Sequence, residues 1–175
     1  MAENDGAPQW REGIYDVFKD IGIAQVVYVP DAGHARLIDM CEEDPDIACG
    51  PLTNEFEGIG MCVGAWLGGQ RAAMLMQSSG VGNVINALGL VSSARAPFFT
   101  VITMRGEWGE FNPWQLPMGQ GTGDVLRDMG VIVNRAERPE DVVDVVRYSA
   151  LLAFQSYAPV AAVISQRVTG AKVFK

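Results

Sequence analysis

The strongest constraint on the fold is a repeated alternation of short apolar runs with longer segments of helical period. The apolar runs cover residues 26–29, 47–49, 72–76, 98–103, 131–133 and 160–164. Because strand and helix alternate about six times, we expect an α/β fold with an open, mostly parallel six-stranded sheet and helices on both faces. The 175 residues, about half of them hydrophobic, suffice for one core. We therefore expect a single domain over residues 1–175.

The segments between the strands carry weaker signals. Residues 1–7 are small and polar and are expected to be frayed, with Pro8 near the start of the first helix and Gly22 at its end. Residues 104–120 show no period, which predicts a long loop followed by a short helix near residues 125–129. A loop of this length in a compact domain is usually functional.

The overall charge excludes some classes of partner. A formal net charge of −8 argues against binding nucleic acid or an anionic membrane surface, both of which favour a basic face. No apolar run is long enough to span a bilayer and no basic leader precedes the first helix, so we expect a cytoplasmic protein. Three cysteines without metal-ligand spacing are expected to be buried thiols in a reducing compartment.

Residues 53–69 form a glycine-rich segment that begins with two glutamates and is otherwise free of charge. A helix tolerates so many glycines where a backbone or a ligand must approach closely. Glu55 is electrostatically favoured at the start of this helix. A simpler alternative is that Glu55 and Glu57 only cap and charge the first turn, with Asn54 or Thr53 as the N-cap.

Polar residues follow several of the predicted strands. Asp31 and His34 follow the first, residues 77–83 follow the third, and Arg105 follows the fourth. Ligands of parallel sheets bind beyond the carboxyl ends of the strands, so we expect these groups and Glu55 to converge on one edge.

Residues 78–83 allow two interpretations. A glycine-containing segment between a strand and a helix is compatible with a phosphate cradle, and equally with a tight turn that has an N-cap serine. The segment lacks the lysine and hydroxyl residue of a P-loop.

The loop after the fourth predicted strand also has two interpretations. Arg105 can bind a carboxylate, sulfonate or phosphonate, or it can form a solvated salt-bridged loop with Glu107 and Glu110. The aromatic residues of this loop, Trp108, Phe111 and Trp114, are expected to close a lid or to meet a partner chain.

Several of these motifs occur together in one known family. The chain has Val-Pro-Asp ending at Asp31, Asn-Glu at Glu55 with a glycine nine residues later, Gln-Ser-Ser-Gly-Val-Gly-Asn from Gln77, and Arg-Gly-Glu from Arg105. In this order they resemble the pyrimidine-binding domain of thiamine diphosphate-dependent 2-oxoacid decarboxylases. The resemblance covers about residues 10–168 and is greatest to the sulfopyruvate and phosphonopyruvate decarboxylases.

The resemblance assigns expected roles to individual residues. The glutamate at position 55 hydrogen-bonds a ring nitrogen of the cofactor's aminopyrimidine and favours its imino tautomer. Asp31 and His34 handle protons or orient the substrate, and Arg105 holds the anionic tail of a small 2-oxoacid. The pocket residues are Gln77, Ser78, Gly80 and Asn83, of which Gln77 and Ser78 also face the substrate.

One element of the wider superfamily is missing. Its diphosphate-binding half carries Gly-Asp-Gly and a later asparagine that hold Mg²⁺ and the diphosphate, and this chain has no such motif. The resemblance therefore implies a beta subunit that carries the motif, in a hetero-oligomer with the active site between the chains. Two alternatives remain open, a nucleotide- or flavin-binding module of similar architecture and a non-catalytic regulatory or scaffold subunit.

Overall fold

The computed structural model describes residues 9–171 and contains one six-stranded sheet in which every neighbouring pair is parallel. The predictions for residues 1–7 and Pro8 lie outside the described residues. In spatial order the strands run β2, β1, β3, β4, β6, β5. Their bounds are β1 Ile23–Tyr28, β2 Ala48–Pro51, β3 Arg71–Gln77, β4 Phe98–Thr103, β5 Ile132–Ala136 and β6 Pro159–Ile164. The predicted open parallel sheet is confirmed.

Helices cover both faces of this sheet, as the alternation predicts. They are α1 Trp10–Ile21, α2 Ala35–Glu43, α3 Glu55–Leu67, α4 Ser78–Val84, α5 Leu88–Ala94, α6 Leu116–Asp128, α7 Val142–Ser156 and α8 Gln166–Thr169. One buried cluster packs α1, α2 and α7 against one face of the sheet. A second cluster packs α3, α4, α5 and α6 against the other face. Across residues 9–171, no helix combines the length and the apolar character that crossing a membrane requires.

The helix ends follow local chemistry. Gly22 ends α1 in the left-handed region, with φ of 76°, as predicted. The Asn54 side chain caps α3 by accepting a hydrogen bond from the Phe56 backbone amide. The Glu57 carboxylate in turn accepts a hydrogen bond from the Asn54 backbone amide, which completes a capping box. The capping interpretation is therefore right for Asn54 and Glu57, while Glu55 is left for another role.

Two of the predictions for connecting segments are wrong. Residues 78–83 do not form a tight turn between β3 and a helix, because the helical backbone begins at Ser78, directly after β3. The long loop ends early, since Pro113–Gln115 forms a 3-10 turn and α6 begins at Leu116. The glycines of α6 weaken its apolar period and hide it from pattern analysis.

The three cysteines are free thiols, as expected. Cys41 and Cys62 are buried and Cys49 is half-buried. Burial raises the pKa of each thiol to about 12, which keeps it protonated.

Candidate active site

The Glu55 side chain turns into the protein and not into solvent. Glu55 is the first residue of α3 and only 7% of it is exposed. Its neighbour Glu57 is exposed and serves as the capping carboxylate. Two glutamates of one helical turn therefore have different tasks, because they lie on different sides of the helix.

The first turn of α3 meets α4 at the Glu55 carboxylate. Glu55 Oε2 accepts a hydrogen bond of 2.8 Å from Asn83 Nδ2. The other oxygen, Oε1, lies against Gly80, where a Cβ atom would collide with it and would be 2.7 Å from the carboxyl carbon. Gly80 is thus required for close approach of α4 to the carboxylate.

A cleft of about 950 Å³ opens beside this carboxylate. Its lining consists of Glu55, Ser79, Gly80, Gly82, Asn83, Asn112, Pro113, Trp114, Pro117 and Met118. This lining fits a flat heteroaromatic ring, because the Glu55 carboxyl group can hydrogen-bond a ring nitrogen while prolines, Met118 and Trp114 provide apolar walls. Such a cleft with few convergent polar groups is typical of cofactor sites.

A second polar group surrounds Asp31, beyond the carboxyl end of β1. Asp31 Oδ1 accepts a 3.0 Å hydrogen bond from Gln77 Nε2, and Oδ2 accepts one from the Thr103 hydroxyl. His34 Nδ1 lies 3.5 Å from Oδ2. Burial raises the pKa of Asp31, but His34, Thr103 and the Gly33 amide stabilise the carboxylate and together hold that pKa well below its usual range.

His34 is fully buried at the start of α2. In the described part of the chain neither ring nitrogen has a hydrogen-bond partner within normal geometry. The turn before it is fixed to α1, because Arg11 Nε donates a 2.9 Å hydrogen bond to the Gly33 carbonyl. His34 is placed to influence Asp31 and is not exposed toward the cleft.

Ser78 is fully buried and joins β3 to the Arg105 loop. Its hydroxyl accepts a hydrogen bond of 3.0 Å from the Arg105 amide and lies 3.2 Å from the Arg105 carbonyl. The neighbouring Ser79 faces the Glu55 cleft and donates to Gln77 Oε1 at 2.9 Å. The Gln77 side chain therefore contacts Ser79 in the cleft through Oε1 and Asp31 through Nε2.

The Arg105 guanidinium is paired within its own loop. Its Nε and Nη2 atoms donate to the two oxygens of Glu110 at 2.6 and 2.5 Å. The Glu110 side chain is 1% exposed and also accepts from the Gly106 and Asn112 amides and from Gln166. The Arg105 hydrogen bonds are the largest influence on Glu110 and, with these donors, lower its pKa to about 2.

The prediction of a solvated salt-bridged loop is right in pairing Arg105 with Glu110, but that pair is largely buried and Glu107 pairs elsewhere. Glu107 pairs with Arg135 of β5 at 2.5 Å and not with Arg105. Its other oxygen accepts from the Gln166 amide at 2.6 Å and from the Ser165 hydroxyl at 3.0 Å. The loop is thus a fixed polar network that is fastened to the ends of β5 and β6.

Of the aromatic residues in this loop, Trp114 borders the Glu55 cleft and is 82% exposed. Trp108 stacks under the Arg167 guanidinium, 3.9 Å from ring centroid to Cζ, and Phe111 lies 5.3 Å from Arg105 Cζ. Of the three, Trp114 is therefore the one that shapes the cleft.

The structure brings six of the predicted site residues together in two connected groups, while Ser78 and Arg105 form a third contact. Glu55, Gly80 and Asn83 form one group, and Asp31, His34 and Gln77 form the other. Sequence reasoning missed Thr103 and Gln166, and it considered Glu110 only as part of a solvated salt-bridged loop with Arg105. Thr103 could have been found as the polar residue that ends a buried strand, but α8 is too short to give Gln166 any periodic signal.

Comparison with known proteins places this geometry in a class. The family model for the thiamine diphosphate-binding domain of pyruvate flavodoxin/ferredoxin oxidoreductases matches residues 34–173. A solved 2-oxoglutarate:ferredoxin oxidoreductase from Magnetococcus marinus superposes with a TM-score of 0.70 at 15% identity, over 91% of this chain and 29% of that chain. At that identity the superposition bears on the fold alone. The chain belongs to the thiamine diphosphate-binding domains.

Sequence relatives narrow the class. The chain is 36% identical over 151 residues to the sulfopyruvate decarboxylase subunit alpha of Methanococcus maripaludis, covering 86% of this chain and 90% of that protein. It is 37% identical over 108 residues to the phosphonopyruvate decarboxylase of Streptomyces viridochromogenes, which covers 61% of this chain and 27% of that protein. Within its class, the chain is a member of the sulfopyruvate decarboxylase alpha-subunit family, a family of thiamine diphosphate-dependent decarboxylases.

Proposed function

We propose that this chain is the pyrimidine-binding alpha subunit of a decarboxylase that converts a 3-sulfo- or 3-phosphono-type 2-oxoacid, such as sulfopyruvate, to the aldehyde and carbon dioxide. The observation that carries the proposal is the buried Glu55 carboxylate, held between Gly80 and Asn83 at the edge of a cleft. Thiamine diphosphate, when bound, supplies the electron sink for cleavage of the carbon–carbon bond.

Glu55 is proposed to share a proton with a ring nitrogen of the cofactor. Asn83 occupies Oε2, so Oε1 is the oxygen that can meet the ring on the cleft side. Gly80 leaves room for this oxygen, and prolines, Met118 and Trp114 line the cleft beside it. A carboxyl group held in one orientation in this way transfers a proton at a defined atom.

Asp31 and His34 are proposed to act at the reacting end of the substrate. The Asp31 carboxylate orients the substrate by hydrogen bonding, and His34 supports that carboxylate from within the protein, 3.5 Å away. Gln77 connects this group to the cleft through Ser79, while Ser78 holds the backbone of Arg105.

Arg105 is proposed to hold the anionic tail of the substrate. Glu110 engages the Nε and Nη2 atoms and fixes the plane of the guanidinium. Among residues 9–171 these hydrogen bonds engage only Nε and Nη2, and the Nη1 edge is proposed to bind a sulfonate or phosphonate, whose oxygen geometry matches such a donor.

A beta subunit is proposed to hold the diphosphate and Mg²⁺ with a Gly-Asp-Gly motif and a later asparagine. The relatives named subunit alpha support a partner. The surface of α3 suits such a contact, because Phe56 is 55% exposed and a Cβ atom added at Gly60 or Gly64 would meet none of the described residues beyond its own helix within 4 Å. We place the assembly in the cytoplasm, where its free thiols remain reduced.

The test is co-expression of this chain with a partner that carries the diphosphate motif, followed by assay of aldehyde and carbon dioxide from sulfopyruvate. Glu55→Gln should lower kcat by at least about 100-fold, because a proton-transfer group is removed. Glu57→Gln is the matched control, since glutamine also completes a capping box. Full activity of the Glu55→Gln enzyme would remove Glu55 from its role, and inactivity of the wild-type assembly on every 2-oxoacid would refute the proposed function.

A further inference from the structure

Asp31 is held by residues at the ends of two other strands. Gln77 is the last residue of β3 and Thr103 is the last residue of β4. The two are paired in the register between these strands, so they stand side by side at the carboxyl edge of the sheet. Each hydrogen-bonds a different oxygen of the Asp31 carboxylate.

The orientation of the Gln77 amide determines which partner donates. Ser79 Oγ lies 2.9 Å from Gln77 Oε1 and donates to it, so the Gln77 NH₂ group points to Asp31 Oδ1. An NH₂ group donates and does not accept, so Oδ1 must be an acceptor. The Thr103 hydroxyl then satisfies Oδ2, and the carboxylate, whose side chain is 7% exposed, has a donor on each oxygen.

We propose that Thr103 is a positioning residue that, together with Gln77, holds Asp31 as an acceptor-only carboxylate, so that Asp31 orients the substrate and does not donate a proton to the product. This inference rests on the proposed function and adds a residue, Thr103, that the family resemblance does not name. It also implies that the proton required to form the aldehyde comes from a different group.

The surrounding charges favour the same state. Among residues 9–171, the groups that interact electrostatically with Asp31 are His34 in its own turn, Arg11 of α1 and Arg105 after β4. Tyr28 and Asp39 line the same surface pocket as Asp31. The two arginines are positive and His34 stabilises the carboxylate. A buried carboxylate with two donors and cationic neighbours stays ionised at neutral pH.

The test uses Thr103→Val, which removes the hydroxyl and keeps the shape, with Thr103→Ser as the conservative variant. Thr100→Val is the matched control, because Thr100 lies in the same strand and donates to the Met74 carbonyl at 2.9 Å, away from Asp31. In the assembled enzyme, Thr103→Val should lower kcat about tenfold with little change in KM, since a hydrogen bond to a charged group is lost. Thr103→Ser should restore most of kcat, and Thr100→Val should retain the wild-type value.

A second measurement does not depend on activity. The carboxyl carbon of Asp31, assigned in the full alpha chain by comparison with Asp31→Asn, is followed by NMR during a pH titration. The wild-type signal should not titrate between about pH 5 and pH 9, and the midpoint in Thr103→Val should move upward. Titration of wild-type Asp31 in that range, or equal kinetics of Thr103→Val and Thr100→Val, would overturn the inference. If the wild-type assembly is inactive on every 2-oxoacid, the proposed function fails. The NMR titration then decides by itself whether Asp31 is held as a carboxylate.

Discussion

Glu55 Oε2 and Asn83 Nδ2 are joined by a hydrogen bond of 2.8 Å, although the two residues are 28 positions apart in the chain. The bond connects the first turn of α3 to α4, two helices on the same face of the sheet. It directs Oε2 toward protein and leaves Oε1 over Gly80, next to the cleft. The orientation of the proposed proton-transfer group is therefore set by a residue from the neighbouring helix.

Substitution of Gly80 by alanine should displace the Glu55 carboxylate. The new Cβ would lie 2.7 Å from the Glu55 carboxyl carbon, so the carboxylate must rotate away from its position. We expect kcat of the assembled enzyme to fall about 100-fold, as misplacement by about 1 Å does in other enzymes.

Gly89→Ala is the control for this substitution. Gly89 lies in α5, and a Cβ atom added there would meet none of the described residues beyond its own helix within 4 Å. Alanine at this position should leave kcat unchanged and raise the free energy of unfolding of the chain by about 0.5–1 kcal/mol. Wild-type kcat in Gly80→Ala would show that the contact with Glu55 does not matter for the reaction.

Arg105→Lys should affect substrates with an anionic tail more than substrates without one. Lysine keeps the charge but loses the planar fork that Glu110 fixes. We expect KM for sulfopyruvate to rise about tenfold or more, with a smaller change for pyruvate, measured by steady-state decarboxylation of both. Equal losses on the two substrates would mean that Arg105 serves only to fasten its loop.

The Glu110 carboxylate should make stability depend on acidic pH. Folding lowers its pKa from the ordinary value of 4.5 to about 2, chiefly through the Arg105 hydrogen bonds. A lowered folded-state pKa contributes stability that is fully present above the unfolded pKa and is lost as pH falls toward the folded one. We expect the wild-type chain to lose roughly 3 kcal/mol from this group between about pH 5 and pH 2.

Urea unfolding of wild type and Glu110→Gln over that pH range measures this contribution. The variant should be less stable at pH 7 and should show a shallower decline with acid. Parallel pH profiles for the two proteins would assign the acid sensitivity to other carboxylates. Glu57→Gln is a suitable control, because it makes the same change of charge at an exposed carboxylate that is far from Arg105 in the chain.

The exposed Trp114 beside the cleft should contribute to partner binding. Trp114→Ser should weaken association with the beta subunit by about 2 kcal/mol or more, as loss of a large aromatic anchor does at interfaces. Tyr148→Ser is the control, since Tyr148 is also exposed but lies on α7, on the opposite face of the sheet. Sedimentation or titration calorimetry measures the dissociation constant of each variant for the beta subunit. Equal effects of the two substitutions would mean that the interface lies elsewhere.

Local sequence determined the elements and most of the candidate residues. Periods of two and 3.6, glycines such as Gly22 and the Asn54 capping box act over a few residues, so the strands and α3 could be predicted without knowledge of the rest. The gathering of polar residues at one edge of the sheet could also be predicted, because parallel strands share one carboxyl edge. The helical state of residues 78–83 escaped prediction, because glycines and serines have low helix propensity and only packing against α3 and α6 stabilises them.

The tertiary structure alone decided which side chains touch. That Glu55 meets Asn83, that Arg105 is paired with Glu110, and that Thr103 binds Asp31 depend on contacts between residues 28, 5 and 72 positions apart. Residue type and spacing specify which groups reach one edge of the sheet, but hydrogen bonds are formed over about 3 Å and require the packed positions of several elements at once. The sequence by itself therefore determined the sheet and the edge at which the chemistry gathers, and the packing determined which atom of each group remains for the reaction.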